Sequence, residues 1–355
     1  MAKNMLLDKT FACLAGGAIG DVMGGYVEGW HYKGIQEKFG VLDNIDHSFR
    51  ADRLYKYTDD THLRNYIIEA IIKKGGRITA YDKAESWLEH FDRRYMDGSI
   101  IYNYLKLLRG VPPRETGHDE FPGVSATLGI APIGIVNACD PKSAAEDAFD
   151  VASMMKGSYS REAPMAIAAA VAEAFKPEAT LDSIIKASMA YCGTTVKEHI
   201  EKALSLAKKY DNGLKAIPEF YDKLLVSDGR DKVRHLFSSE ELIERRGTDK
   251  FSISCDPLEL VPVSLAFFYI EKGDPMKAMI AGANFGRDCD GIAGFAASIA
   301  GAFRGSAKID MDMVEKVNKA NNFNLMKQAE DMQPAIINTM RDKERSVQSI
   351  KKLLG

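Results

Sequence analysis

Cysteine is scarce and unpatterned in this chain: five residues in 355 (Cys13, Cys139, Cys192, Cys255 and Cys289), an odd number without a CxxC pair. That pattern argues against a disulfide framework or a thiolate zinc site and fits reduced, buried thiols, so a cytoplasmic location is expected. Histidine adds no zinc signal, because His31, His47, His62, His90, His118, His199 and His235 show no metal-ligand spacing. An excess of positive charge is missing too. With 47 Lys and Arg against 50 Asp and Glu, the formal net charge is −3, whereas a dedicated nucleic-acid binder is normally basic. The one long uncharged run, Phe121 to Cys139, contains Pro122, Gly123, Gly129, Pro132 and Gly134, which spoil it as a membrane helix. The opening residues, Met1 to Asp8, are too polar for a signal peptide. Neither a nucleic-acid nor a membrane partner is expected. Internal repeats, low-complexity tracts and compositional breaks are absent as well. Residues 1–355 therefore read as one domain, with 226–256, the most polar stretch, as a surface excursion.

What is present is helical periodicity. After Thr61, apolar residues fall at Leu63, Tyr66, Ile67, Ala70 and Ile71, the stripe of a core-facing helix, and Gly75-Gly76 ends it. Thr10 is placed to cap a first helix through Phe11, Leu14, Ala15 and Ala18. Along it Gly16, Gly20 and Gly24 form a smooth ridge that lets another backbone come close. Further helices are predicted near 142–156, 163–175 (Pro164 in the first turn), 181–191, 196–209, 257–272, 275–285, 292–304, 311–320 and 333–353. Segment 292–303 has no charge on any face, so it belongs in the protein's centre. The fold class is all-α.

Two acidic clusters, each opening an apolar helix, say most about chemistry: Tyr57-Thr58-Asp59-Asp60-Thr61 and Gly286-Arg287-Asp288-Cys289-Asp290-Gly291. The bland reading is an N-cap with acidic first-turn residues. Yet a helix N-terminus carries only about half a positive charge, which one Asp satisfies. If the clusters converge, four carboxylates repel and desolvate one another unless a cation lies between them. All-oxygen ligands favour Mg²⁺ or Mn²⁺ over zinc.

In this arrangement the chain resembles the ADP-ribosylglycohydrolase family, which includes the dinitrogenase-reductase-activating glycohydrolases. Four blocks carry the resemblance, which is strongest over residues 8–306. Gly16-Gly17-Ala18-Ile19-Gly20-Asp21 with Gly24 and Glu28 is similar to the family's opening G-x-x-x-G-D-x-x-G and later glutamate. Tyr57-Thr58-Asp59-Asp60-Thr61 matches its S/T-D-D-T motif. Gly123-Val124-Ser125-Ala126 through Ala131-Pro132-Ile133-Gly134 resembles its glycine-rich substrate loop. Residues 284–293 and 299–305 resemble its closing G-x-D-x-D-T/S-I-A and G-A-x-x-G.

The resemblance implies a single-domain orthogonal helical bundle with a central cleft for one or two Mg²⁺ or Mn²⁺ ions. Carried over, the metal ligands are Thr58 (through its hydroxyl), Asp59, Asp60, Asp288 and Asp290. Glu28, Asp59 and Asp60 are the implied catalytic residues, with Glu28 as a carboxylate gate or proton acceptor. Gly123, Ser125 and Ala126 are the implied substrate contacts, through backbone N–H groups. The implied reaction is hydrolysis of the C1″ glycosidic bond of ADP-ribose on a protein side chain or small acceptor, through an oxocarbenium-like state.

The chain departs from the family pattern in three places. Gly291 stands where the family has Thr or Ser, which removes a hydroxyl ligand and weakens the second ion; a positive φ would be an alternative reason for that glycine. The glycine loop lacks the family's Asn and Arg. Lys156 occupies a region where many relatives have His; its two readings are a phosphate contact and a solvated charge at a helix end. Trp30 and Tyr32 are candidates to line the cleft, Tyr159 to stack on a base and Asp119 or Glu120 to act as a base, each against ordinary packing or solvation. Met154 and Met155 read as core filling. Two alternatives to the leading function stand beside it: a metal-dependent N-ribosyl hydrolase of nucleosides or nucleotides, and an ADP-ribose-binding pseudoenzyme.

Overall fold

The computed structural model describes residues 4–45, 51, 53–226 and 252–354; His47, His235 and positions 227–251 of the polar stretch 226–256 lie outside the described residues. Among the described residues there are sixteen α-helices and no strand longer than the isolated antiparallel bridge His31–Gly286. In chain order they are α1 (Met5–Gly25), α2 (Tyr32–Phe39), α3 (Asp59–Lys74), α4 (Ala80–His90), α5 (Gly98–Leu108), α6 (Ala131–Val136), α7 (Pro141–Ala152) and α8 (Ser158–Ala174). Then follow α9 (Leu181–Ala190), α10 (Thr194–Ala207), α11 (Gly213–Lys223), α12 (Pro257–Ile270), α13 (Pro275–Phe285), α14 (Cys289–Arg304), α15 (Met311–Asn321) and α16 (Leu325–Leu354). The architecture is all-α, and one continuous apolar cluster runs from Phe11 to Ile336. Among the described residues no helix is long and apolar enough to cross a membrane.

The centre is α1 lying antiparallel along α14. A Cβ on Gly16 would sit 2.5 Å from the Ala297 carbonyl oxygen, one on Gly20 2.6 Å from the Ala293 carbonyl, and one on Gly24 2.3 Å from the Asp290 nitrogen. From the other side, a Cβ on Gly301 would sit 2.1 Å from the Ala12 carbonyl oxygen. The glycine ridge therefore lets two backbones touch. Helix α14 is buried from Cys289 to Ala302, as the absence of charge from segment 292–303 requires.

Several boundaries differ from the sequence reading. Thr10 does not cap α1. Asn4 does, accepting from Leu7 N, and Thr10 sits inside with its hydroxyl donating to the Leu6 carbonyl, the usual alternative for a mid-helix Thr. Helix α8 starts at Ser158 rather than 163, with Pro164 in its interior. The missing N–H is tolerated because residues 166–172 are buried and packing holds the helix. Helix α16 begins at Leu325 because Leu325, Ala329, Met332 and Ile336 continue the buried stripe upstream of Pro334. Helices α2, α4, α5, α6 and α11 escape the periodicity reading. Of these α2 and α6 are short, and local caps mark the others: Thr79 with Asp82 for α4, Asp97 for α5 and Asn212 for α11.

Candidate functional site

Helix α1 delivers Asp21, the only charged residue between Lys9 and Glu28, to the start of α3. Its buried carboxylate accepts from Thr58 N (3.0 and 3.2 Å), from Thr61 N (3.1 Å) and from the Thr61 hydroxyl (2.5 Å). Thr58 is the N-cap of α3, and its own hydroxyl accepts from Asp60 N at 3.3 Å. The positive end of α3 is thus satisfied by a hydroxyl and by an acid from another helix. Asp59 and Asp60 are surplus to capping.

The second acidic cluster meets the first. A Cβ on Gly291 would lie 3.4 Å from Asp60 Oδ2, so the start of α14 faces the start of α3 directly. Glu28, in the turn after α1, belongs to the same group. Burial first, then the charge of Glu28, pushes Asp59 up to about 8; the same two causes push Asp288 up to about 7. Asp60 and Asp290 are raised well above the carboxylate range by burial and then by neighbouring acids. For Asp60 these are Asp21, Asp59, Asp288 and Glu28; for Asp290 they are Glu28, Asp60, Asp288 and Asp21. Six carboxylates therefore form one electrostatic unit, in which the charged forms oppose one another. Asp288 lies against Asp290 and the thiol of Cys255; Cys255 and Cys139 are exposed and Cys192 half-buried, so only Cys13 and Cys289 are the buried thiols the sequence suggests. Among the described residues no three His, Cys, Asp or Glu side chains are already closed around a single point.

Outside the acids lies a cavity of about 700 Å³, within the size range of small-molecule sites. Glu28, Thr58, Asp59 and Asp97 supply its acidic and hydroxyl wall, and Arg53, Lys56 and Arg94 its cations. Tyr57, His62, Tyr95 and Met96 line it too, with Asn321 and Asn322. His62 stacks on Tyr95 with centroids 4.0 Å apart, and burial lowers its pKa to about 4, so it is neutral at pH 7.

The glycine loop stands apart from this cavity's lining. Residues Val124–Ala126 form a 3₁₀ turn, Gly123 N donates to Ser160 Oγ at 3.0 Å, and Val124 N donates to the Cys255 carbonyl at 2.7 Å. Ser125 is buried with its hydroxyl unpartnered, and Ala126 is buried beside it. Lys156 is not a solvated helix-end charge. It is 1 % exposed, donates to the Phe121 carbonyl at 3.2 Å, and lies 3.6 Å from where a Gly123 Cβ would be. Trp30 is core, Tyr32 packs on Tyr221, and the Tyr159 hydroxyl donates to Asp256 at 3.1 Å. Glu120 pairs with Lys106 at 2.9 Å, Asp119 is exposed, and Met154 and Met155 are buried.

Gly291 is not in the left-handed region, so its backbone does not demand glycine. Sequence reasoning missed Asp21 as a partner, although a lone acid in an uncharged helix was the available signal. It also missed the cavity's cations, which nothing in their spacing connects to the acids.

The family model described as ADP-ribosylglycohydrolase matches residues 2–344. The chain is 23% identical over 346 residues to the uncharacterized protein YegU of Escherichia coli (strain K12), covering 92% of this chain and 96% of that one. It is 24% identical over 303 residues to an uncharacterized protein of Archaeoglobus fulgidus, covering 83% and 87%. A solved structure titled ADP-ribosylglycohydrolase-related protein complex superposes with a TM-score of 0.63 at 16% identity, covering 94% of this chain and 98% of the other.

Proposed function

The chain belongs to the ADP-ribosylglycohydrolase family, and from that premise we propose that it is a Mg²⁺- or Mn²⁺-dependent hydrolase. Its proposed substrates are ADP-ribosylated protein side chains or small ADP-ribosyl conjugates, cleaved at the glycosidic bond. The observation that supports this reading best is the surplus of acid. Asp21 already satisfies the start of α3, yet Asp59, Asp60, Asp288 and Asp290 remain gathered with Glu28, each of the four pushed upward by burial. The donor set is all oxygen and negatively charged, which suits a hard divalent cation. Thr58, Asp59, Asp60, Asp288 and Asp290 would hold it, and when bound it supplies Lewis acidity and lowers the pKa of a coordinated water.

The chain's own residues do the rest. Glu28 stands on the cavity wall beside Asp59; it takes a proton from the attacking water as the bond from C1″ to the acceptor breaks, and the acceptor leaves with the bonding electron pair and takes up a proton from solvent. Arg53, Lys56 and Arg94 on the same cavity favour a phosphate-bearing substrate over a neutral one. We place the protein in the cytoplasm, in keeping with its unpaired cysteines.

A second reading, an N-ribosyl hydrolase of nucleosides or nucleotides, has one observation in its favour: the Gly123 N–H is already committed to Ser160 Oγ, which removes a phosphate donor from the loop. The deciding experiment is incubation with Mg²⁺ or Mn²⁺, or with chelator, and a panel of ADP-ribosylated substrates, nucleosides and nucleotides, with products identified by mass. Metal-dependent release of ADP-ribose supports the first reading, release of free base the second. Binding of ADP-ribose without turnover of any substrate would make the protein a pseudoenzyme and end both.

A further inference from the structure

Arg287 is wholly buried, and it stands between Gly286 and Asp288 at the edge of the acid cluster. Its backbone N donates to the Trp30 carbonyl and its carbonyl accepts from Gly29 N, both at 2.7 Å. This pair sets the segment carrying Glu28 against the one carrying Asp288, with the bridge His31–Gly286 beside it. The guanidinium then reaches a third segment. Nε donates to Glu259 Oε1 at 2.5 Å, Nη2 to Glu259 Oε2 at 3.1 Å, and Nη1 to Ser252 Oγ at 2.6 Å. Ser252 N in turn donates to the Gly29 carbonyl at 2.7 Å, so both peptide groups of Gly29 are held. Glu259 lies in the first turn of α12, just after Cys255 with its thiol on Asp288.

Two features show that this network fixes geometry. Arg287 has φ +63°, a conformation that costs a branched-out side chain free energy. The ion pair is 0 % exposed on both partners, and a buried pair gives little net stability compared with apolar residues of similar volume. We propose that Arg287 is a positioning residue: through Glu259 and Ser252 it locks the Glu28 turn against the Asp288–Asp290 helix start and so sets the acid spacing. The inference rests on the function proposed above.

The test compares wild type with the double variant Arg287→Met/Glu259→Met and with Arg287→Lys, which keeps the charge but not the planar fork. The double variant should melt within a few degrees of wild type. Its amides at 28–31 and 286–289 should exchange faster. Mn²⁺ affinity by calorimetry should fall roughly tenfold to a hundredfold, the usual cost of removing a group that orients metal ligands, and kcat should fall with little change in KM. Arg287→Lys should show the same pattern to a lesser degree, and it decides the question alone if the double variant does not fold. Native exchange and Mn²⁺ affinity in a folded variant would overturn the positioning role alone. A wild-type protein that binds no Mn²⁺ would overturn the proposed function, and this inference with it.

Discussion

The starts of α3 and α14 carry similar acids but are built in opposite ways. Helix α3 opens on Thr58, which caps it, and on Asp21, an acid borrowed from α1; its Asp59 lines the cavity. Helix α14 opens on Asp288, which makes no side-chain cap and lies against Asp290 and Cys255 instead, while Gly24 presses on the Asp290 backbone. One start is tethered by side chains at the edge of a cavity. The other is set in backbone contact at the protein's centre. On this contrast α14 is a floor set by backbone contact and α3 a wall set by side-chain hydrogen bonds.

The most damaging test of that contrast is Asp290→Asn. Turnover should fall below detection while the fold persists, and the chelator-treated protein should melt higher than wild type, because one member of a repelling cluster is gone. Full activity in Asp290→Asn would remove the floor from the site.

Asp21→Asn attacks the tether of the wall. Losing a charged acceptor for Thr58 and Thr61 should cost about 2 kcal/mol in chemical denaturation and weaken Mn²⁺ binding roughly tenfold. An unchanged denaturation midpoint would mean that Thr58 alone suffices as a cap.

The pH dependence follows from the raised acids. Asp59 at about 8 and Asp288 at about 7 in the fold compare with 3.8 as the ordinary value. Between those limits the folded state binds more protons than the unfolded one, so stability of chelator-treated protein should fall as pH rises from about 4 to about 8. Melting curves across that range check the sign, and saturating Mn²⁺ should flatten the slope. A chelated protein that gains stability on going from pH 5 to pH 8 would contradict the cluster.

The smallest expected effect belongs to Gly291→Ser. The added Cβ would meet Leu260 Cδ2 at 3.2 Å and Asp60 Oδ2 at 3.4 Å. Ordinary helical φ and a flexible neighbour keep the stability change within about 1 kcal/mol. The hydroxyl lies between floor and wall, and calorimetry should show a weak second Mn²⁺ site becoming tighter. Two equally tight sites in wild type would show that no ligand is lacking.

Much of this was legible in the residues because it is local. Thr58 before an apolar stripe, Gly75 after it, the uncharged run 292–303 and the four-residue glycine spacing each report one helix's own ends or faces. What was illegible depends on crossings. Asp21 meets Thr61 because α1 passes the start of α3, and Arg287 meets Glu259 across 28 positions; no periodicity encodes either. The same holds for Arg53, Lys56 and Arg94, which share a cavity through folding alone. The shortest helices, α2 and α6, have too few turns for a stripe to show, and the starts of α8 and α16 lie upstream of prolines that packing overrides.

The contact of Gly24 with the Asp290 backbone has an engineering counterpart in the datum face of a machine tool. Dimensions taken from a side-chain contact drift whenever either side chain is exchanged, but here no side chain intervenes. Substitutions elsewhere in the core can reshape the walls around α1 and α14 while the acid keeps its height above the first helix. Tolerance to change in the interior and exactness at the site are therefore obtained together, and a single methyl group at position 24 would forfeit both.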